Sequence, residues 1–241
     1  MTAINHSQKA TSKVVALLPM KGHSERVANK NILPFAGKPL FHQVAQVLQD
    51  CDFVKSIIIN TDSDFIARNA SENFSKVHIV ERPEAIRGDM VEMNTIIAND
   101  LSVTEGQHYL QTHSTNPLLT KHTLDRAISE YFALDAAYDS LFSVTKLQTR
   151  LYWESGEPVN HNPQELLRTQ DLPPLYEENS NIYLFSKTSF AVAGNKRIGQ
   201  RPKMFTMDSL EAIDIDDDET FRLAEAVHEL RSAEKKRSKY D

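Results

Sequence analysis

Late in the chain, the stretch SLEAIDIDDDETF (209–221) sets two carboxylates, Asp214 and Asp216, on either side of Ile215. Residues two apart in an extended segment face the same way. Ile213 and Ile215 would then turn inward while both carboxylates project together. Two convergent carboxylates with open coordination positions suit Mg2+, which keeps waters and shares phosphate oxygens with a substrate. Asp217 and Asp218 fit a different task, since acids at the start of a helix cap its free N–H groups and complement its dipole. Capping and solubility could account for all four acids; the alternation with isoleucine favours a metal for Asp214 and Asp216.

Near the amino end, LPMKGHSERVANKN (18–31) places Lys21, Ser24, Arg26 and Lys30 within ten positions, directly after the apolar run VVALL. A phosphate needs cations for charge and backbone N–H groups turned toward it. Gly22 permits a tight turn and Ser24 adds a hydroxyl donor. A solvated basic connection remains the plainer account of the same residues, with Glu25 offsetting its neighbours and Asn29 or Asn31 serving as turn residues. Ordinary nucleotide motifs do not explain the segment. There is no G-x-G-x-x-G, and FAGKPL (35–40) has the Gly-Lys of a Walker loop without its upstream glycine or following Ser/Thr. A basic loop early and a carboxylate pair late together suggest a nucleoside triphosphate with its metal.

Alternating elements would position these groups. KVVALLP (13–19), VKSIIINTD (54–62), KVHIVERP (76–83), QHYLQTHSTNPLL (107–119) and DSLFSVT (139–145) read as strands, the fourth running into a loop. Helices are expected over 38–50, 65–74, 90–101 and 124–134, the first with Pro39 at an early helical position. This alternation predicts a single Rossmann-like, three-layer α/β domain with a mostly parallel sheet, whose ligands sit at the carboxyl ends of the strands. The rhythm breaks over 146–179, a proline-rich polar stretch expected to form an inserted dimerisation arm or lid. NIYLFS (181–186) returns to the core pattern, a polar turn leads to a possible strand over 202–208, and a last helix is expected over 219–233. Residues 1–12 read as a disordered lead, 13–233 as the domain, and 234–241 as a solvated tail.

The 241 residues are enough for one large domain, and the net charge of −6 argues against a nucleic-acid partner. No apolar run approaches a membrane span, and the first residues lack the apolar middle of a secretory signal. Cys51 is the only cysteine, which excludes an internal disulfide or a thiolate metal cluster. A cytoplasmic location is expected.

Six ordered segments carry a resemblance to a known family: LPMKGHSERVANKNI, FAGKPL, ERP (81–83), THSTNPLL (112–119), ENSNIYLF (178–185) and SLEAIDIDDDETFRLAE. Together they resemble the CMP-acylneuraminate synthetases, cytidylyltransferases that activate sialic acids and related sugars, over about residues 13–230. The resemblance implies that Lys21 and Ser24 contact the triphosphate, with Gly22 and Arg26 in the same loop. It implies that Lys30 and Asn31 contact nucleotide and phosphate, and that Arg82 lies near the cytosine. His113, or Gln111 if the loop aligns differently, is placed at the sugar together with Asn179. Asp214 and Asp216 match the metal carboxylates.

The implied reaction is attack by a sugar hydroxyl on the α-phosphorus of CTP, giving a CMP-sugar and pyrophosphate. Lys21 and Lys30 would stabilise charge, Asp216 is the candidate base, Mg2+ is the implied cofactor, and a homodimer is implied. Three departures stand out. Glu25 occupies a position where many members have lysine, and Glu177 and Glu178 bring acids to the region near the acidic sugar's carboxylate. Ser180 replaces the glycine of the Asn-Gly pair, so the backbone there must accept a Cβ. A nucleotidyltransferase for another base or sugar, or a non-catalytic nucleotide-binding protein of the same fold, remains the alternative.

Overall fold

Strands buried on both faces read as continuous apolar runs, and VVAL and the three isoleucines within SIIINT meet that requirement. In a computed structural model, which describes residues 13–22 and 29–237, they form β1 (Val14–Leu17) and β4 (Val54–Thr61). Between them lie the short strands β2 (Pro34–Phe35) and β3 (Lys38–Pro39) and helix α1 (Phe41–Asp50). The alternation continues through α2 (Asp64–Asn73), β5 (Val77–Glu81), α3 (Met93–Val103), β6 (His108–Gln111) and α4 (Lys121–Phe132). The chain ends with β7 (Ser140–Leu147), β8 (Leu175–Ser186), α5 (Lys187–Val192), β9 (Pro202–Met207) and α6 (Asp218–Arg237).

Seven strands make one sheet in the order β5-β4-β1-β6-β8-β7-β9. Its pairings are parallel except at β8, which runs antiparallel to both β6 and β7. Phe41, Val44 and Leu48 of α1, Ile66 and Ala70 of α2, and Leu124 and Ile128 of α4 pack with Val14 and Ala16 of β1 in one cluster. Ile97 and Leu101 of α3 and Phe190 of α5 pack with Val15 and Leu17 in another. Because alternate β1 residues point to opposite faces, these clusters are the two sides of a three-layer α/β domain. The chain leaves β1 for β4 and β5, then returns to β6 on β1's other side. That reversal opens a crevice beyond the carboxyl ends of β1 and β6.

A third cluster joins distant parts of the chain. Phe35, Leu40 and Leu118 enclose Ile215 and Ala224, with Phe221 and Val227 of α6 against them. Phe35 meets Phe221 edge to face with ring centroids 5.7 Å apart. Within this packing, FAGKPL is a hairpin: Ala36 (φ 50°) and Gly37 (φ 79°) turn β2 into antiparallel β3. Positive φ at both central residues is the twist a two-residue hairpin needs. Its Gly-Lys pair is therefore turn chemistry, and the helix expected from residue 38 begins only at Phe41.

Three other expectations need correction. The arm is shorter than 146–179: Lys146 and Leu147 belong to β7, and Leu175–Asn179 to β8, paired as Leu147↔Leu175 through Val144↔Glu178. The excursion proper is 148–174. Residues 187–192, read as part of a polar turn, form α5, opened by a Ser186–Ser189 capping box. The tail's first residues, 234–237, continue α6. Ser180 adopts φ 52°, a left-handed conformation that costs a residue with a Cβ about 1 kcal/mol. No helix among the described residues is long and apolar enough to cross a membrane.

Candidate active site

The crevice beyond β1 and β6 is a cleft of about 570 Å3. Lys21, Lys30 and Asn31 reach it from the segments after β1, Arg82 from the end of β5, His113 from beyond β6, and Asp214 and Asp216 from the segment before α6. The basic segment and the carboxylate pair thus face one space. Ile215 is the anchor: its side chain is fully buried in the third cluster, and its N–H donates to the Thr115 carbonyl at 2.9 Å. Burying the central residue leaves its two acidic neighbours lining the cleft, as the alternation predicts, although 213–216 form no regular strand.

Lys30 is largely enclosed and lies 3.3 Å from Asp216 Oδ1, while it also donates to the Ile215 carbonyl. Asn31 is buried and bridges two loops: its Nδ2 donates to the Lys21 carbonyl at 2.9 Å, and its Oδ1 accepts from Ser114 Oγ at 2.6 Å. Lys21 pairs with Asp89. Gly22 donates its N–H to Asp62 Oδ1 at 2.7 Å, so a carboxylate already holds that donor. A Cβ on Gly22 would lie 2.9 Å from Ser63 Cβ, so the close approach requires glycine. Ser24 and Arg26, and with them Glu25, fall outside the described residues.

Arg82 is buried. Its Nε donates to Asn60 Oδ1 at 2.8 Å and its Nη2 to the Asn60 carbonyl at 2.9 Å. Asn60 in turn donates to Asp100 Oδ1 at 2.6 Å. Burial pushes the Asp100 carboxyl up to about 6, against the opposing pull of Asn60's hydrogen bond.

The residues assigned to the sugar divide. His113 lines the cleft, and its Nε2 accepts from Gln111 Nε2 at 3.2 Å and faces Arg197 Nη1 at 3.4 Å. Two donors on Nε2 place the ring proton on Nδ1. Burial, then the charges of Arg197 and Lys30, push the His113 imidazolium down to about 3, so the ring is neutral near pH 7. Gln111 is fully buried and outside the cleft lining; its Oε1 accepts from Arg197 at 2.5 Å. Asn179 lines an adjoining hollow, and both ends of its amide are engaged, by Ser143 Oγ at 2.6 Å and Thr145 Oγ1 at 3.1 Å. The amide of Asn179 thus ties β8 to β7 and leaves the cleft to other residues.

The described residues contain no group of three or more His, Cys, Asp or Glu side chains placed to hold a metal. Asp214 and Asp216 are two hard oxygen donors, a set that fits Mg2+ completed by phosphate oxygens and water, not an all-protein cage.

Residues 15–238 match the family described as cytidylyltransferase. The chain belongs to the cytidylyltransferase family. It is 28% identical over 225 residues to N-acylneuraminate cytidylyltransferase A of Danio rerio, a match that covers 90% of this chain and 51% of that one. It is 23% identical over 184 residues to a pseudaminic acid cytidylyltransferase of Campylobacter jejuni, covering 71% of this chain and 77% of that one. The chain thus spans about half the length of the first of these relatives. Among solved structures, CMP:2-keto-3-deoxy-manno-octonic acid synthetase complexed with CTP superposes with a TM-score of 0.65 at 11% identity, over 91% of this chain and 99% of that one. At that identity the likeness shows the shared fold.

Two charged residues of this cytidylyltransferase cleft escaped sequence reasoning. Asp89 follows Gly88 in an irregular loop, and Arg197 lies in the turn after α5. The nearest signal for Arg197 is its density of partners: Gln111, His113, Glu178 and the face of Tyr183.

Proposed function

We propose that the protein transfers CMP from CTP to an acidic nonulosonic sugar. An oxygen of the sugar hydroxyl bonds to the α-phosphorus, the bond from that phosphorus to the bridging oxygen breaks, and pyrophosphate leaves. The observation that carries this reading is the meeting of Lys21 and Lys30 with Asp214 and Asp216 in one cleft. Family membership and the acids named in the relatives' descriptions support it.

Such transfers depend mainly on positioning and on neutralising charge. Lys21 exchanges Asp89 for the triphosphate, and Lys30 faces the same anion from beside Asp216. Asn31, next to Lys30, links the Lys21 carbonyl to Ser114. Arg82, held rigid by Asn60, lines the part of the cleft assigned to cytosine. Neutral His113 offers a hydrogen bond without adding charge. Asp216 takes the proton of the attacking hydroxyl. Asp214 and Asp216 would hold Mg2+, which supplies positive charge at the α-phosphate when bound.

Glu178 does not oppose an acidic substrate. Its carboxylate accepts from Tyr183 Oη and lies 4.0 Å from Arg197, whose charge counters it. The excursion 148–174 carries Trp153 and Leu166, 63% and 93% exposed, and is the contact surface of a homodimer in this reading.

Pyrophosphate release with CTP, UTP and GTP, each offered with sialic, legionaminic, pseudaminic and octulosonic acids, tests the proposal. Release that requires CTP and one of these acids supports it. Tight CTP binding with no release for any acid points to a non-catalytic nucleotide-binding protein.

A further inference from the structure

Arg82 is held at the cleft by a chain of hydrogen bonds that starts at a buried acid outside it. Asp100, on α3, is fully buried and does not line the cleft. Its Oδ1 accepts from Asn60 Nδ2 at 2.6 Å, and Asn60, fully buried on β4, accepts through its own Oδ1 from Arg82 Nε at 2.8 Å. A carboxylate only accepts and a guanidinium only donates, so the amide between them has one orientation that satisfies both ends. The Asn60 carbonyl accepts from Arg82 Nη2 at 2.9 Å and from the Met20 N–H at 3.0 Å. Asn60 thus engages Nε and Nη2, while Nη1 makes no hydrogen bond among the described residues. The Arg82 backbone is fixed too: its N–H donates to the Thr61 carbonyl at 2.9 Å, and its carbonyl accepts from Arg87 Nε at 2.8 Å. Asp100 is tied in turn by Thr104 Oγ1, which donates to its carbonyl at 2.6 Å. Without the Asp100 acceptor, the Asn60 amino group would be stranded in the core. Turning the amide toward another partner would then release Arg82 Nε.

We propose that Asp100 is a positioning residue for the nucleotide: it locks the Asn60 amide, and through it Arg82, in the pose that meets the nucleoside end of CTP. This rests on the cytidylyltransferase reading above. Asn60 and Asp100 both stand outside the cleft lining, so the effect passes through Arg82. The other role open to the same carboxylate is that of a counter-charge, since Asp62 and then Asp100 favour the charged form of Arg82. The lock is favoured because Asp100 reaches Arg82 only by way of Asn60, and because Asp62 supplies charge of the same sign.

The test uses the full chain as wild type, Asp100→Leu, Asp100→Ser and Asp100→Asn, with thermal melts to establish that each folds. Leucine removes the acceptor, and serine is too short to reach Asn60. The asparagine oxygen can still accept from Asn60, although the charge is gone. Asp100→Leu and Asp100→Ser should weaken CTP binding, read by titration calorimetry without sugar, about tenfold, the loss expected when a hydrogen bond to a charged group is released. KM for CTP should rise by the same factor, with kcat and KM for the acidic sugar little changed. Inorganic triphosphate, which lacks the nucleoside, should bind every variant as it binds wild type; general loosening of the fold would weaken it as well. Asp100→Asn should recover most of the CTP loss. If leucine does not fold, serine carries the comparison. An unchanged CTP Kd, a loss in Asp100→Asn as large as in Asp100→Ser, or an equal loss for inorganic triphosphate overturns the proposal; the second result assigns the effect to charge. Wild type that binds CTP but releases no pyrophosphate with any acid ends the transfer reading alone, and the Kd series still decides on Asp100. Wild type that binds no CTP overturns both.

Discussion

Lys30 Nζ lies 3.3 Å from Asp216 Oδ1 across 186 positions of chain. The pair joins the basic segment to the carboxylates and spaces the charges that an incoming triphosphate would meet. Asp216→Asn keeps the side chain's shape while removing its charge. CTP-dependent pyrophosphate release should fall at least about 100-fold, with an unaltered circular dichroism spectrum and CTP affinity within a few-fold. Undiminished turnover would remove Asp216 from the chemistry.

Ile215 decides where both carboxylates go. Ile215→Ala would leave a cavity against Phe35, Leu40 and Leu118. Such a truncation costs about 2–5 kcal/mol, whereas Ile215→Val costs about 0.5–1.5 kcal/mol. In urea titrations the alanine variant should lose that much stability, and its turnover should fall further than its folded fraction does. A valine variant with near-normal turnover and an alanine variant without it would identify Ile215 as the positioning residue. Equal turnover in both, corrected for folding, would show that the segment is held elsewhere.

Asp100 predicts a pH dependence of known sign. Its carboxyl moves from 3.8 up to about 6 on folding, mainly through burial. Between about pH 4 and 6 the folded chain keeps a proton that the unfolded chain has released, so this group's contribution falls as pH rises through that window. The shift sets a ceiling of roughly 3 kcal/mol. His113 acts in the opposite direction: its folded value near 3 makes its contribution rise as pH climbs toward 6.5. Melting wild type beside Asp100→Asn isolates the first effect. The variant should gain on wild type between pH 4 and pH 6, and parallel curves would rule out titration at Asp100.

The excursion between β7 and β8 predicts a change in assembly. Trp153→Ser combined with Leu166→Ser removes two exposed apolar side chains from its surface. Sedimentation equilibrium should show a dimer for wild type and weaker association, by about tenfold or more, for the double variant, with Tm little changed. A wild-type monomer would separate the excursion from any role in pairing.

The parallel half of the sheet was legible because strands covered on both faces carry continuous apolar runs, as VVAL and the three isoleucines of SIIINT show. The start of β8 was not: Glu177 and Glu178 lie on a part of the strand exposed to water, where no alternation betrays the pairing with β7. Helix α5 has six residues, too few to display a helical period. Lys38–Pro39 resembled a helix start because proline suits that position, but the Ala36–Gly37 turn claims both residues for a hairpin. Within the site, Asp214 and Asp216 could be found because Ile215 alternates with them. Arg197 belongs to no motif; its meaning depends on Gln111 and Tyr183, which only strand pairing brings beneath it.

The hydrophobic cluster around Ile215 has a consequence for synthesis. A ribosome releases Phe35 and Leu40 almost 200 positions before Ala224 can cover them. Throughout that interval the nascent chain carries an open apolar seam close in sequence to Lys30 and Asn31. The seam closes only once α6 has left the exit tunnel and can pack over it.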